Sequence, residues 1–440
     1  MVSPMLRLAS LALALTLGCY EFHPVDPEAR PDAAGRDGGG GGIDGGALDA
    51  GGGIDGGGER DGGRDAAVDP GFDAGGDPGV DGGMDAGVDA GMDAGMDAGL
   101  VECAPDPVCT IAQIAAGRFH TCARRESGTV ECWGANFAGQ LGRLDGVDRP
   151  RPTPVEGLED PREIAAGGDR TCAVTADRGL TCWGDGRVAT AIATMGVAQV
   201  AIGSFGRTCW RFEGAGGIDC LEGAFGFGAP TPVEGTAGAL DLAVGAGHTC
   251  FVAEVPAGDP VVRCFGVNDD GQLGIGTTAS TEGVVEVAGV EDAVQVTAGR
   301  FHSCALDGTG RVWCWGRNRS GQLGDGTRVD RLSPVPVVGL ADVAFIAAGH
   351  VHTCARRRDG QVFCWGRNQN GQLGDGTFVD RPRPTRVGIG DALELGSGLW
   401  HSCARSADDT VRCWGSNNAG QLGDGTLEDA PSPVEVLDLP

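Results

Sequence analysis

A chain of 440 residues with 81 glycines and a formal charge of −28 is long enough for two or three ordinary domains, yet much of it cannot pack. The charge divides evenly: residues 1–100 hold 19 acids and 5 arginines, and residues 101–440 hold 42 acids and 28 arginines. With no lysine anywhere and no arginine cluster able to neutralise a phosphate backbone, nucleic acid is excluded as the expected partner.

Residues 1–18 carry one early arginine, Arg7, and then an apolar run from Leu8 to Leu17, the pattern of a secretory signal peptide. That run is too short to span a bilayer stably. Gly18-Cys19 at its end resembles the lipobox of bacterial lipoproteins, although Thr16 stands where that family has an aliphatic residue. The resemblance implies a diacylglyceryl group on Cys19, which becomes the mature N-terminus. It also implies localisation at the bacterial cell envelope, with membrane attachment only through this lipid.

Residues 19–100 are expected to form a disordered tether. They consist largely of Gly, Asp and Ala, and Asp69, Asp73, Asp77, Asp81, Asp85, Asp89, Asp93 and Asp97 recur every four residues. Such a segment buries too little apolar surface to offset its ordering entropy. Interleaved glycines disfavour the helix that would align these carboxylates, and like charges at that spacing repel. The nonapeptide pattern of calcium-binding repeats is absent, so an extended, solvated spacer is expected.

Residues 101–440 repeat at about fifty residues, a period typical of solenoids and propellers. The clearest units read IAAGRFHTCA…VECWGANFAGQLG, VTAGRFHSCA…VWCWGRNRSGQLGDGT, IAAGHVHTCA…VFCWGRNQNGQLGDGT and LGSGLWHSCA…VRCWGSNNAGQLGDGT. Counting by cysteines gives seven units: Cys122 with Cys132, Cys172 with Cys182, Cys209 with Cys220, Cys250 with Cys264, Cys304 with Cys314, Cys354 with Cys364, and Cys403 with Cys413. Cys103 with Cys109 is expected as one further pair.

Cysteines ten positions apart lie directly opposite each other in a hairpin with a three-residue loop whose last residue needs φ > 0. Gly128, Gly310 and Gly360 hold that position, and Asp409 holds it in another unit. The 172/182 unit has Arg178 there with Gly179 next, so its loop is expected to differ. In an exported protein, opposed cysteines read as cross-strand disulfides, each worth about 2–3 kcal/mol on a loop-entropy estimate. Metal binding is the rival reading, because His120, His248, His302, His352 and His401 each precede a repeat cysteine by two residues. One His and two Cys make three ligands per unit, and zinc thiolates are uncommon where disulfides form.

Runs such as VFCWG and HTCAR read as short strands, and SPVPVVGLADVAFIAAG supplies one strand before a turn and one after it. Four strands per repeat and seven repeats predict an all-β, seven-bladed β-propeller with disulfide-stapled blades. The Ala-Ala-Gly-x-x-His stretch and the later Trp-Gly-x-Asn-x-x-Gly-Gln-Leu-Gly resemble the repeat of the regulator of chromosome condensation family, over residues 111–440. Units two and three depart from it: both lack Gly-Gln-Leu-Gly, and unit three replaces Cys-Trp-Gly with Cys220-Leu221-Glu222. Shortened outer strands or altered loops are expected there.

The resemblance implies seven-bladed propellers. Its eukaryotic members act in nucleotide exchange and on chromatin, and secreted bacterial propellers similar to it include inhibitors that clamp a protein enzyme. Fold alone does not fix function. The glycine-rich GQLGDGT segments lack the lysine of a P-loop and read as structural loops. Trp133, Trp183, Trp315, Trp365 and Trp414, at one register, read as blade packing, and the repeated histidines as turn-holding residues. No nucleophile elbow, HExxH or distinctive carboxylate pair occurs, so no catalytic residue, cofactor or metal site is expected.

The expected function is an exported envelope lipoprotein whose propeller binds a protein, inhibitory or adhesive in effect. The alternatives are a propeller enzyme acting on extracellular glycan and a purely structural envelope protein. The expected binding face carries the residues between Gly and His in each turn: Arg118 and Phe119, Asp169 before Arg170, Arg300 and Phe301, His350 and Val351, Leu399 and Trp400. They vary on a repeated scaffold, and aromatic and arginine side chains are enriched at binding hot spots. Inward packing of Phe119, Phe301 and Trp400 between blades is the competing placement.

Overall fold

The computed structural model describes residues 110–439, apart from 159, 194, 215, 222–228 and 257. Cys19, expected to carry the lipid, the expected tether and the expected pair of Cys103 with Cys109 lie outside the described residues.

Among the described residues, twenty-eight strands form seven four-stranded antiparallel sheets, each built in sequence order from one repeat. In blade 1 the strands are Ile111–Ala116, His120–Arg125, Val130–Gly134 and Arg149–Pro154. Blades 2 to 7 span 163–193, 197–233, 239–286, 293–336, 343–386 and 392–435. The first strands touch one another around the ring, blade 7 against blade 1 included, so they line a central channel.

Because each sheet is covered on both faces by its neighbours, second and third strands are buried through nearly their whole length. The apolar core is divided into seven clusters, one per blade junction. Fourth strands are the free edges, and those of blades 1, 5, 6 and 7 carry prolines at alternate positions, as in Pro150, Pro152 and Pro154 or Pro382 and Pro384; blade 3 has Pro232, and the fourth strands of blades 2 and 4 have none. A proline cannot donate to an incoming strand, so the proline-bearing edges resist pairing with another molecule.

All seven expected disulfides form, each between directly opposed residues of the second and third strands. The opposition survives the longer loops of the 209/220 and 250/264 pairs. Gly128, Gly310, Gly360 and Asp409 have φ of 85°, 85°, 80° and 64°, as the hairpin geometry requires. The 172/182 loop does not differ, contrary to expectation. Arg178 adopts φ 66°, and its N–H donates to the Thr175 carbonyl at 2.9 Å, just as Gly128 donates to Arg125.

Blades 2 and 3 do depart from the pattern. In blade 2 a two-residue turn, Asp185 (φ 52°) and Gly186 (φ 78°), replaces the long Gly-Gln-Leu-Gly connection and leads directly into the outer strand Arg187–Ala193. In blade 3 the outer strand shrinks to Thr231–Val233. The tryptophan of that blade has also changed strands. Leu221 stands at the third-strand register of the other tryptophans, while Trp210, on the second strand, fills the junction with blade 2.

Candidate protein-interaction face

The turn between the first and second strands is held by the repeated histidine. In blade 1 the Gly117 N–H donates to the His120 carbonyl at 2.8 Å, and the imidazole lies so close over Gly117 that a Cβ there would sit 2.1 Å from Cε1. Only glycine fits.

From this turn the ring reaches the next blade. Thr171 donates its single hydroxyl hydrogen to the Gln140 carbonyl (3.0 Å), so His120 Nε2, 2.8 Å away, must be the donor to Thr171 Oγ1. Trp183 Nε1 donates to the same Gln140 carbonyl at 3.0 Å. His120 and Gln140 of blade 1 thus clasp Thr171 and Trp183 of blade 2.

The clasp recurs at four further junctions, through His248 to Ser303, His302 to Thr353, His352 to Ser402 and His401 to Thr121. Burial holds all five histidines neutral, with pKa values lowered to about 3. Their Nδ1 atoms are buried without a partner, which fits the Nε2–H tautomer. The cysteines beside them are in disulfides, so the three-ligand metal set has no thiolates.

Where the Gly-Gln-Leu-Gly loop is missing, the histidine is missing as well. Arg170 takes its place in blade 2 and donates to Thr208 Oγ1 (2.8 Å) and the Gly206 carbonyl (2.9 Å), while its other nitrogen pairs with the buried Asp185 at 2.8 Å. Arg207 takes it in blade 3 and reaches the Gly247 carbonyl at 3.2 Å. Trp210 Nε1, with no glutamine carbonyl in front of it, is buried without an acceptor.

These clasps fix the Gly-to-His turns in one circle around the channel. Backbone bonds link successive turns: Arg118 N–H to Gly168 O (2.9 Å), Arg300 N–H to His350 O (3.0 Å), Leu399 N–H to Gly117 O (3.3 Å). The two variable positions of each turn have different fates. In blades 1, 3, 6 and 7 the side chain directly after glycine faces the opening: Arg118, Ser204, His350 and Leu399 line a recess whose roughly 370 Å3 includes open solvent. The next residue, Phe119, Phe301, Val351 or Trp400, lies outside that lip and is half-buried. Neither full exposure nor inward packing describes the aromatics: one side of each ring is covered and one edge faces out.

Guanidinium groups cover them. Arg118 lies 5.0 Å from the Phe119 centroid, and Arg300 lies 4.6 Å from Phe301 and 5.1 Å from Phe205, an exposed ring from blade 3. Arg317 also covers Phe301, at 5.1 Å, and Arg367 covers Trp400, at 4.9 Å. His350 meets Trp400 edge-on at 5.1 Å and is 6% exposed; burial first, then the charges of Arg300, His352 and Arg118, press its pKa to about 2. Asp169 pairs with Arg118 at 3.5 Å, and burial raises its pKa.

Arg118, Phe119, Arg300, Phe301, His350, Val351, Leu399 and Trp400, the face expected from the sequence, all stand on these turns, and Arg317 and Arg367, which the sequence reading did not name, stand beside them. The missed pair follow Trp315-Gly316 and Trp365-Gly366, and their N–H groups donate to the carbonyls of Phe301 and Val351, which brings them to the same face. The residue after each Cys-Trp-Gly was the available signal.

Comparison with known proteins agrees with this architecture. Prp20p of Saccharomyces cerevisiae, whose crystal structure is known together with its binding properties to Gsp1p and histones, superposes with a TM-score of 0.59 at 20% identity, covering 68% of this chain and 84% of Prp20p. At that identity the likeness is one of fold. The E3 ubiquitin-protein ligase HERC2 of Homo sapiens is 29% identical over 231 residues, 44% of this chain and 5% of HERC2. The Ultraviolet-B receptor UVR8 of Arabidopsis thaliana is 43% identical over 79 residues, 18% of each chain. The chain therefore matches only a small part of the length of these two relatives.

Profiles of the regulator of chromosome condensation (RCC1) repeat match residues 111–140, 293–322, 343–372 and 394–421, and in a second form 127–174, 262–306, 309–356 and 359–404. The unmatched stretch 175–261 takes in Arg207 and Trp210 of the altered clasps, whereas Arg170 lies inside the matched 127–174. Each span of the first profile starts on an inner strand, takes in the clasping histidine and tryptophan, and ends at or just past the clasping glutamine, so the chain belongs to the RCC1 repeat family.

Proposed function

We propose that this chain is an exported, lipid-anchored binding module whose Gly-to-His turn face holds a partner protein. One observation carries the reading: three half-buried aromatic rings, Phe119, Phe301 and Trp400 on blades 1, 5 and 7, each stand under a guanidinium beside the channel mouth, on turns tied to neighbouring blades by hydrogen bonds. Rigid aromatic and arginine anchors bind with little loss of conformational entropy, and such residues dominate interface energetics. The relation to Prp20p, with its binding properties to Gsp1p and histones, supports a protein as the partner class. The groups buried at the turns serve blade cohesion, which supports binding rather than catalysis.

The test is capture of a partner by the immobilised full chain and by a Phe119→Ala, Phe301→Ala, Trp400→Ala triple variant. Truncating one hot-spot anchor costs about 2 kcal/mol or more, so the triple variant should bind at least thirtyfold more weakly. Leu393→Ala, exposed near the start of an inner strand, should leave binding unchanged. Unchanged capture by a triple variant of native thermal stability overturns the assignment of the face.

The anchor is tested separately. A Cys19→Ala variant should leave the membrane fraction, and retention there as firm as the wild type overturns attachment through that residue.

A further inference from the structure

The turn face differs in charge from the rest of the molecule. Residues 101–440 hold 42 acids against 28 arginines. At the turn positions and directly after the third strands, the described residues instead carry four arginines, Arg118, Arg300, Arg317 and Arg367, against Asp169 and Asp185. Asp185 is already paired with buried Arg170 at 2.8 Å. All four arginines lie over aromatic rings. Stacking engages the face of a guanidinium, and its N–H donors lie in the plane, the geometry that grips a carboxylate with two parallel bonds. A recess at the channel mouth lies between Arg118, His350 and Leu399. The charges of Arg300 and Arg118 are felt there, since both help to keep His350 unprotonated.

We propose that the arginine and aromatic ring of this face docks an acidic polypeptide segment, a loop or terminus of the partner rich in Asp and Glu whose carboxylates meet Arg118, Arg300 and Arg317, while Arg367, 8% exposed and donating to Gln369 Oε1, supports Trp400 from within. The inference rests on the protein-binding reading of the face and adds the chemistry of the occupant. The net negative charge elsewhere does not prevent it: at physiological ionic strength the screening length is about 8 Å, so a bound segment senses the ring rather than the distant surface.

The probe is a fluorescein-labelled peptide of eight glutamates, with a peptide of eight glutamines as control, titrated against the full chain at 0.15 M salt. The octaglutamate should bind, weaken as salt rises, and bind at least tenfold more weakly to an Arg300→Gln, Arg317→Gln variant of unchanged thermal stability. Equal binding of the octaglutamine, or of the octaglutamate by that variant, overturns the proposal. So does binding of anionic phosphatidylglycerol vesicles through the same arginines without binding of the peptide, which would make the face a membrane contact. If the triple aromatic variant loses the captured partner while Arg300→Gln, Arg317→Gln keeps it, the binding face stands and the acidic occupant falls. If both variants keep the partner, both readings fall.

Discussion

Arg178 sits in a backbone conformation that an L side chain rarely adopts, in a turn where three other blades use glycine and one uses aspartate. The left-handed region costs an ordinary residue about 1–2 kcal/mol, whereas glycine enters it freely at some entropic cost of its own. The compensation visible at Arg178 is an ion pair to Glu213 at 3.1 Å, between side chains 39% and 53% exposed. Pairs that exposed contribute little. Arg178→Gly is therefore expected to stabilise the protein by about 0.5–1 kcal/mol, a rise of about 1–2 °C in Tm for a domain of this size. Thermal unfolding with the disulfides intact measures it, and a lower Tm would mean that the Glu213 pair outweighs the strain. Sequence order alone suggested a different loop because Gly179 is adjacent. The structure keeps the register because the opposed cysteines and the Thr175 carbonyl fix which residue must turn.

At the scale of strands and blades, much was legible because it repeats. Seven copies of a cysteine pair at hairpin spacing, alternating strands and recurrent glycines specify the blade, its disulfides and the number of blades. Even the weak copies announced themselves, since blades 2 and 3 lack the Gly-Gln-Leu-Gly text, and blade 2 has an altered connection and blade 3 a shortened outer strand. The junctions were harder to read. His120 meets Thr171 across 51 residues, and the acceptor shared by Thr171 and Trp183 is the Gln140 backbone carbonyl, which no residue type announces. The exchange of Trp210 with Leu221 is likewise visible only once the two strands are paired. The candidate face was legible in register but not in depth. Turn spacing put Phe301 and Trp400 together with Arg300 and His350, while the division into lip and outer positions, and the arrival of Arg317 and Arg367, depend on third strands that lie next to the turns only in the fold. A second ring was not foreseen at all. At one register of six inner strands, the third residue in five of them and the first in the strand of blade 2, a side chain reaches the neighbouring blade's inner strand: Gln113 accepts from Ile164 N–H at 2.8 Å and donates to Ile164 O at 3.0 Å, and Gln295 makes the same pair with Ile346. Glu394 and Glu163 occupy that register with one bond each, from the N–H groups of Ile114 and Val200.

For the whole molecule, the two rings set opposite pH limits. The five clasping histidines and His350 are held neutral by burial, with folded pKa values of about 3 and about 2 against 6.5 when unfolded. Their contribution is complete above pH 6.5 and is lost as pH falls toward 3, because over that range unfolding takes up as many as six protons. Glu163 and Glu394 behave in the reverse sense. Burial raises both from 4.5 to about 7, opposed for Glu394 by Arg405 and Arg124 and for Glu163 by the Val200 N–H, Arg211 and Arg124, with Asp241 adding to the rise. Their contribution is complete below pH 4.5 and is lost as pH rises through 7. Between pH 4.5 and 6.5 the histidines outnumber the glutamates, so stability climbs with pH. It goes on climbing, ever less steeply, through pH 7 and levels off at about pH 8, where the protons bound by the unfolded histidines and by the folded glutamates balance. Thermal unfolding across pH 4 to 8 should trace that rise to a plateau, and a Tm flat from pH 6.5 down to 4 would show that the histidines are not held neutral. Glu394→Gln isolates the glutamate contribution, because a carboxamide accepts from Ile114 N–H and can donate to Ile114 O at every pH, as Gln113 does to Ile164. The variant should match the wild type at pH 4, where Glu394 is protonated folded and largely so unfolded, and exceed it in Tm at pH 8. An equal Tm at both values would mean that Glu394 ionises in the folded ring without cost, with Arg405, 3.5 Å away, supplying the counter-charge.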